Sequence, residues 1–453
     1  LQAEGQQMKT GQSPFVDNAR SRIRKAATPQ RVAMLSVHTS PLDQPGTGDA
    51  GGLNVYVVEL AKRLAAAGTE VEIFTRATAR SQPAVVPMAD GVLVHNLDAG
   101  PRQDVDKADL PGQLCALTAG VLRTEANRPS GWYDAVHSHY WLSGQVGSVA
   151  SERWNVPLIH SMHTMAKVKN LALADGDRPE PSMRVLGEEQ VVSAADQLIA
   201  NTAAEALDLQ QLYGAPARQT SVVYPGVDLE QFSPGDQAEA RRLHGIDVNS
   251  TVLLFVGRIQ PLKGPDVLIR ATAALVERSP HLRDDLVTVI CGGPSGAGPE
   301  RLDQLRKLAV ELGVADLIRF VPPTTRTSLA QLYRAADVVC VPSHSESFGL
   351  VAIEAQACGT PVLAAAVGGL HTAVADGESG LLVPGHDTVR WSEYLERMLT
   401  QRRLLAKLAA GARPHAQRFS WNSTAAATLE VYRQAAVARA GAPRLSIVSR
   451  NSA

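Results

Sequence analysis

Pro342-Ser-His-Ser-Glu346-Ser-Phe348-Gly349-Leu-Val-Ala-Ile-Glu354-Ala-Gln-Ala-Cys358-Gly359-Thr360-Pro361 is the stretch whose reading decides the fold. The run Asp337–Val341 before it reads as a buried strand that feeds a small polar loop. A helix is predicted from near Phe348, with Gly359 and Pro361 as its stop. Glu346 lies on the loop, and Glu354 follows eight residues later inside the helix. The N–H groups of Phe348, Gly349 and Leu350 point out of such a helix start and suit an anion or a row of hydroxyls. A carboxylate beside them stays ionised and accepts from hydroxyls. Together these groups suit a polyhydroxylated anion, such as a nucleotide sugar. In the plainer reading Glu346 is a helix-start carboxylate favoured by the dipole, and Glu354 is a solvated helix residue.

The same strand–loop–helix unit recurs on both sides. Upstream strands are predicted at Arg31–His38, Glu70–Thr75, Tyr133–His137, Pro157–His160, Gln197–Ala200 and Ser221–Tyr224, with a helix over Asn54–Ala67. Turn chemistry at Pro225–Asp228 and Phe232–Gly235 marks a linker. A second series restarts at Thr251–Val256. It continues through Leu286–Cys291, Ile318–Val321, Val338–Val341, Pro361–Val367 and Gly380–Val383. The expected fold is α/β, with two Rossmann-like, doubly wound parallel-sheet domains over residues 29–224 and 225–420 and a cleft between them. A last helix is predicted over 421–439. Residues 1–28 and 441–453 read as flexible extensions. In such sheets ligands bind beyond the carboxyl ends of the strands, where nearly every polar motif below falls.

Composition agrees with a two-domain globular chain. The 453 residues are 45% hydrophobic and 20% charged, and the net charge of −1 gives no reason to expect nucleic-acid binding. The four cysteines, Cys115, Cys291, Cys340 and Cys358, are scattered, which reads as a reducing cytoplasm. No run of about eighteen apolar residues suggests a membrane span, and no secretory leader is evident.

Four further motifs carry chemistry. The loop Gly46-Thr-Gly-Asp49-Ala50-Gly51-Gly52-Leu53-Asn54 follows the first strand and opens a helix, so its backbone can approach a phosphate; a Gly-rich turn without a ligand reads as well. His38, just before it, is either a core histidine or a cleft residue. Arg258 and Lys263, five residues apart after a strand, can clamp a diphosphate, Arg as a fork and Lys as a point charge; a solvated loop, where both residue types are common, reads as well. His137, His139, His160 and His163 end two strands; without H-E-x-x-H or adjacent acids they do not read as a zinc site. Lys107, Tyr140, Thr164 and Arg184 supply two cations and two hydroxyls, a set suited to phosphate where they converge, which spacing alone does not show; scattered surface residues read as well.

His38–Tyr56, His137–Gly147 and Val341–Leu350, with Gly257-Arg-x4-Lys-Gly264, resemble the D-inositol-3-phosphate glycosyltransferases, retaining GT-B transferases of family 4. The likeness spans about residues 31 to 435. It implies transfer of N-acetylglucosamine from UDP-N-acetylglucosamine to 1D-myo-inositol 3-phosphate, the first step of mycothiol biosynthesis. It also implies that the last helix crosses back to the first, acceptor-binding domain. His163, Arg258, Lys263 and Glu346 would be catalytic. Donor contacts would come from His38, Gln44, Pro45, Gly52, Arg258, Lys263, Thr324 (backbone), Glu346, Phe348, Gly349, Leu350 and Glu354. Acceptor contacts would come from the Asp49–Asn54 loop (Asp49, Ala50, Gly51, Gly52, Leu53, Asn54) and from Lys107, Tyr140, Thr164 and Arg184. No cofactor is required for the chemistry; a structural Mg2+ near Tyr333, Arg334, Ala336 and Thr360 is left open, as is a homodimer. The alternatives are a sucrose-phosphate-synthase-like transferase using UDP-glucose and a hexose phosphate, or a nucleotide-sugar sensor without turnover. Since Arg258 and Lys263 stand where other transferases use a divalent cation on the diphosphate, activity is expected to persist in excess EDTA. A complete loss restored by magnesium would contradict this.

Overall fold

The computed structural model describes residues 28–174, 178–294 and 300–441. Most of the expected terminal extensions, residues 1–27 and 442–453, therefore lie outside the described residues. Among the described residues there are two sheets. The first holds β1 (Arg31–Leu35), β2 (Glu70–Arg76), β3 (Val85–Ala89), β4 (Val92–Leu97), β5 (Ala135–His139), β6 (Leu158–Ser161), β7 (Gln197–Ala200) and β8 (Thr220–Val222) in the order β3-β4-β2-β1-β5-β6-β7-β8. The second holds β9 (Thr251–Val256), β10 (Leu286–Cys291), β11 (Ile318–Val321), β12 (Val338–Val341), β13 (Val362–Ala365) and β14 (Gly380–Val383) in the order β11-β10-β9-β12-β13-β14. All pairings are parallel except β3 with β4.

The strand residues explain the layering. β12 is Val-Val-Cys-Val and buried throughout; β9, Thr-Val-Leu-Leu-Phe-Val, is buried across its centre. Strands this apolar need helices on both faces. Order reverses between β1 and β5 in the first sheet and between β9 and β12 in the second. Those two switch points open crevices at the carboxyl ends of the strands.

Local readings shift: the strand expected at Arg31–His38 ends at Leu35, leaving His38 on the loop after it. The hairpin β3–β4 was not expected: Pro87 interrupts β3, its strand is only partly buried, and a bulge lies between Pro87 and Ala89. The strand expected at Tyr133–His137 lies at Ala135–His139, so both His137 and His139 belong to it. The helix expected near Phe348 runs Leu350–Ala357. Gly349 precedes it at φ +105°, a left-handed geometry that suits glycine and delays the first helical turn.

Two chain crossings join the halves. The linker passes beside the entry to the helix Trp421–Gly441, with Val227 bridged to Ser420 and Val227 N–H donating to Phe419 O at 3.2 Å. That helix lies on the first sheet: Tyr432 Oη is 2.8 Å from His137 Nδ1, and Trp421, Val431 and Ala435 share a core with Tyr56, Ile159 and Ile199. No described helix is long and apolar enough to cross a membrane. A Cβ at Gly226 would meet Trp421 N at 2.2 Å and Ser420 C at 2.5 Å, both backbone atoms. Gly226→Ala is therefore expected to cost roughly 1–3 kcal/mol by overpacking. Urea unfolding measures this, and an unchanged midpoint would show that the two crossings part freely.

Candidate active site

A cavity of about 500 Å³ lies between the two sheets, lined from both. Its first wall is the loop after β1, with Tyr140 after β5 and His163 and Thr164 after β6. Its second wall is made by the loops after β9, β10, β11 and β12.

The structure brings most of the expected residues onto this wall: His38, Gln44, Pro45, Asp49, Gly51, Gly52, Leu53, Lys107, Tyr140, His163, Thr164, Arg258, Lys263, Thr324, Glu346, Phe348, Gly349, Leu350 and Glu354. Three lie behind it. Ala50 is buried. Asn54 faces inward: its Oδ1 accepts from Gly51 N–H at 2.9 Å, and its Nδ2 donates to Thr39 Oγ1 and Ser40 O, so it shapes the loop. Arg184 is 4% exposed and paired with Glu180 and Glu188. It reaches the wall through Thr164, whose Oγ1 accepts from Nη2 at 2.9 Å.

Charges in the cavity are arranged in opposed pairs. Lys263 is salt-bridged to Glu346, which also accepts from Ser343 Oγ at 3.3 Å. Across the cleft Arg258 faces Asp49 at 3.6 Å. Lys107 Nζ lies 4.7 Å from the centre of the Tyr140 ring, and Arg184 Cζ lies 5.0 Å from it. Burial lowers the Lys107 ammonium to about 8, while Asp49 pulls it upward. His38 stacks obliquely on Tyr140, centroids 4.3 Å apart, and burial holds its pKa well down, so it is a neutral cleft residue. The helix start now offers the first-turn N–H groups of Leu350 and Val351, where Phe348 and Gly349 were expected to lead.

Glu354 is not a solvated helix residue. It is buried, accepts from Tyr333 Oη at 2.9 Å, and burial raises its pKa to about 7. Two carbonyls near the suggested magnesium position accept hydrogen bonds. Tyr333 O accepts from Thr360 Oγ1 and Ala336 O from Gln237 Nε2, while the Arg334 guanidinium donates to Ser233 O and Oγ.

Sequence reading missed Arg326 and Glu59. Arg326 lines the cavity after β11 and donates through Nη1 to Glu59, a buried residue of the helix Gly52–Ala66 on the other wall. The rule that ligands sit past strand ends pointed to Arg326, two residues beyond Thr324. Nothing local marked Glu59.

Residues 236–415 match the family Glycosyl transferases group 1, and residues 51–226 match the Glycosyl transferase 4-like domain. With two facing parallel-sheet domains, the chain is a glycosyltransferase of the GT-B class. Sucrose-phosphate synthase from Thermosynechococcus elongatus superposes with a TM-score of 0.82 at 32% identity, covering 89% of this chain and 98% of that one. Anabaena Alr3699/HepE, solved with UDP and glucose, gives 0.70 at 22% identity over 88% of this chain and 98% of its own, a likeness of fold. The D-inositol 3-phosphate glycosyltransferase of Actinosynnema mirum is 62% identical over 406 residues, 90% of this chain and 97% of the relative. D-inositol 3-phosphate glycosyltransferase 2 of Catenulispora acidiphila is 61% identical over 404 residues, 89% and 95% of the two chains. The chain belongs to the family of D-inositol 3-phosphate glycosyltransferases.

Burial of Glu354 has a consequence for stability. Its folded pKa of about 7 stands above the 4.5 of a free glutamate, so between those values the unfolded chain is ionised while the folded one stays protonated. Stability is therefore withdrawn as pH rises through this window, and the full cost is present above about 7. Glu354→Gln keeps an acceptor for Tyr333 and should raise Tm more at pH 8 than at pH 5. Thermal unfolding at both pH values tests this; equal shifts would contradict burial as the cause.

Proposed function

We propose that the chain transfers N-acetylglucosamine from UDP-N-acetylglucosamine to 1D-myo-inositol 3-phosphate, releasing UDP, with retention at the anomeric carbon. This is the reaction that opens mycothiol biosynthesis. The observation that carries this reading is one cavity with cations on both walls: Arg258 and Lys263 on one, Lys107 with Thr164 and Tyr140 on the other. Two anions can thus be held face to face, a nucleoside diphosphate and a phosphorylated acceptor. Glu354 takes ribose hydroxyls, and Glu346 takes sugar hydroxyls beside Lys263. The relatives near 60% identity carry inositol phosphate in their names, which favours this acceptor over a hexose phosphate.

Catalysis follows from charge placement. As the glycosidic bond breaks, negative charge grows on the departing phosphate, where Arg258 and Lys263 stabilise it. The same phosphate oxygen takes the acceptor hydroxyl's proton on that face of the sugar, so no protein carboxylate need attack. Glu346 is held by Lys263 and Ser343 as a hydroxyl acceptor. An α-linked product and no glycosylated carboxylate are expected; a β-linked product or an isolated glycosyl-enzyme would sink the mechanism. Lys263→Ala should lower kcat more than it weakens UDP-sugar binding.

The acceptor half is tested separately. A charge-assisted hydrogen bond is worth about 1.5–3 kcal/mol, so losing one should cost roughly ten- to a hundredfold. Lys107→Ala should raise the KM for inositol phosphate by that factor and leave the donor KM nearly unchanged, with unphosphorylated inositol a poor acceptor for the parent. Steady-state kinetics with each substrate varied in turn, UDP-glucose and fructose 6-phosphate included, decides. An unaltered acceptor KM would place the phosphate elsewhere, and turnover with the second pair alone would favour the sucrose-phosphate-synthase-like reaction.

A further inference from the structure

His139 ends β5 and is fully buried, and its Nδ1 lies 2.8 Å from Nε2 of His163, just past the neighbouring β6. His163 lines the cavity with its backbone at φ +60°. A residue other than glycine is strained there, and the conformation persists only where its surroundings hold it. The support is visible. Tyr56 meets both rings edge-on, its centroid 5.8 Å from that of His139 and 4.9 Å from that of His163. Behind His139 stands His137 at 4.2 Å, itself anchored by Tyr432 Oη and Ser161 Oγ.

Hydrogen-bond chemistry then decides where the protons sit. Burial keeps both rings neutral: it lowers His163 to about 3 and His139 well below its ordinary value. Between two neutral imidazoles, one nitrogen donates and the other accepts. The second nitrogen of His139, Nε2, is buried and without a partner among the described residues. A proton there would be an orphaned interior N–H, the kind of unsatisfied group that folded proteins most avoid. A proton on Nδ1 is instead the donor to His163 Nε2. His163 then carries its own proton on Nδ1, the ring nitrogen left for a ligand.

We infer that His139 is a positioning residue that donates to His163 Nε2, fixing the His163 ring and presenting its Nδ1–H to the sugar in the cavity. This rests on the reading of His163 as a donor-sugar contact. The full chain labelled with [15N]histidine is examined by NMR, the His163 signals being assigned by their loss in His163→Gln. The expected pattern is a protonated Nδ1 and a bare Nε2 on His163; a proton on Nε2 overturns the inference, with no variant of the buried His139 required. In kinetics, His139→Ala should lower kcat roughly ten- to a hundredfold with little change in donor KM. His139→Gln, whose amide can still donate, should recover most of that loss. If folded His139→Ala keeps full kcat while His163→Ala does not, the positioning role fails and the sugar contact stands. If His163→Ala also keeps full kcat, the sugar contact fails and the inference falls with it.

Discussion

The cavity exists because two sheets present their carboxyl strand ends to each other, and the paired crossings at Val227 and Ser420 hold them so. A single doubly wound sheet can offer loops from one side only. Here the linker and the start of the last helix run side by side, with Gly226 too close to Trp421 for any side chain. Trp421 and Tyr432 then sink into the first sheet. The helix Trp421–Gly441 thereby ties the end of the second half to the core of the first.

Within that frame the cations and carboxylates are matched before any ligand is considered. Lys263 meets Glu346, Arg258 faces Asp49, and Arg326 holds Glu59 across the cleft. Each pair orients a side chain that would otherwise search many rotamers. Glu59 is the extreme case, since a buried carboxylate without its arginine would be strongly destabilising. The first wall shows the same logic with histidines. Buried and neutral, His139 and His163 meet through a hydrogen bond where the other pairs meet through charge.

The alternation of apolar runs with helices sufficed to read two parallel-sheet domains and the loops that bear the polar motifs. It did so because strands buried on both faces are written as unbroken hydrophobic segments, as in Val338–Val341. The hairpin β3–β4 escaped because its outer strand is only partly buried, interrupted by Pro87 and bulged. The start of the helix at Leu350 escaped because it turns on the left-handed backbone of Gly349, which residue type permits but does not require.

Sequence by itself determined which residues sit past strand ends, and that rule pointed to Arg258, Lys263, Glu346, Tyr140 and His163, all of which line the cavity. Tertiary structure decided which of them meet. The pairing of β5 with β6 joins His139 to His163 across twenty-four positions of chain, and domain apposition joins Arg326 to Glu59 across 267. It also set Asn54 and Arg184 behind the wall, and it buried Glu354, raising its pKa. The reason is physical: strand and helix patterns are short-range and recorded in neighbouring residues, whereas desolvation and ion pairing depend on what the rest of the chain brings alongside.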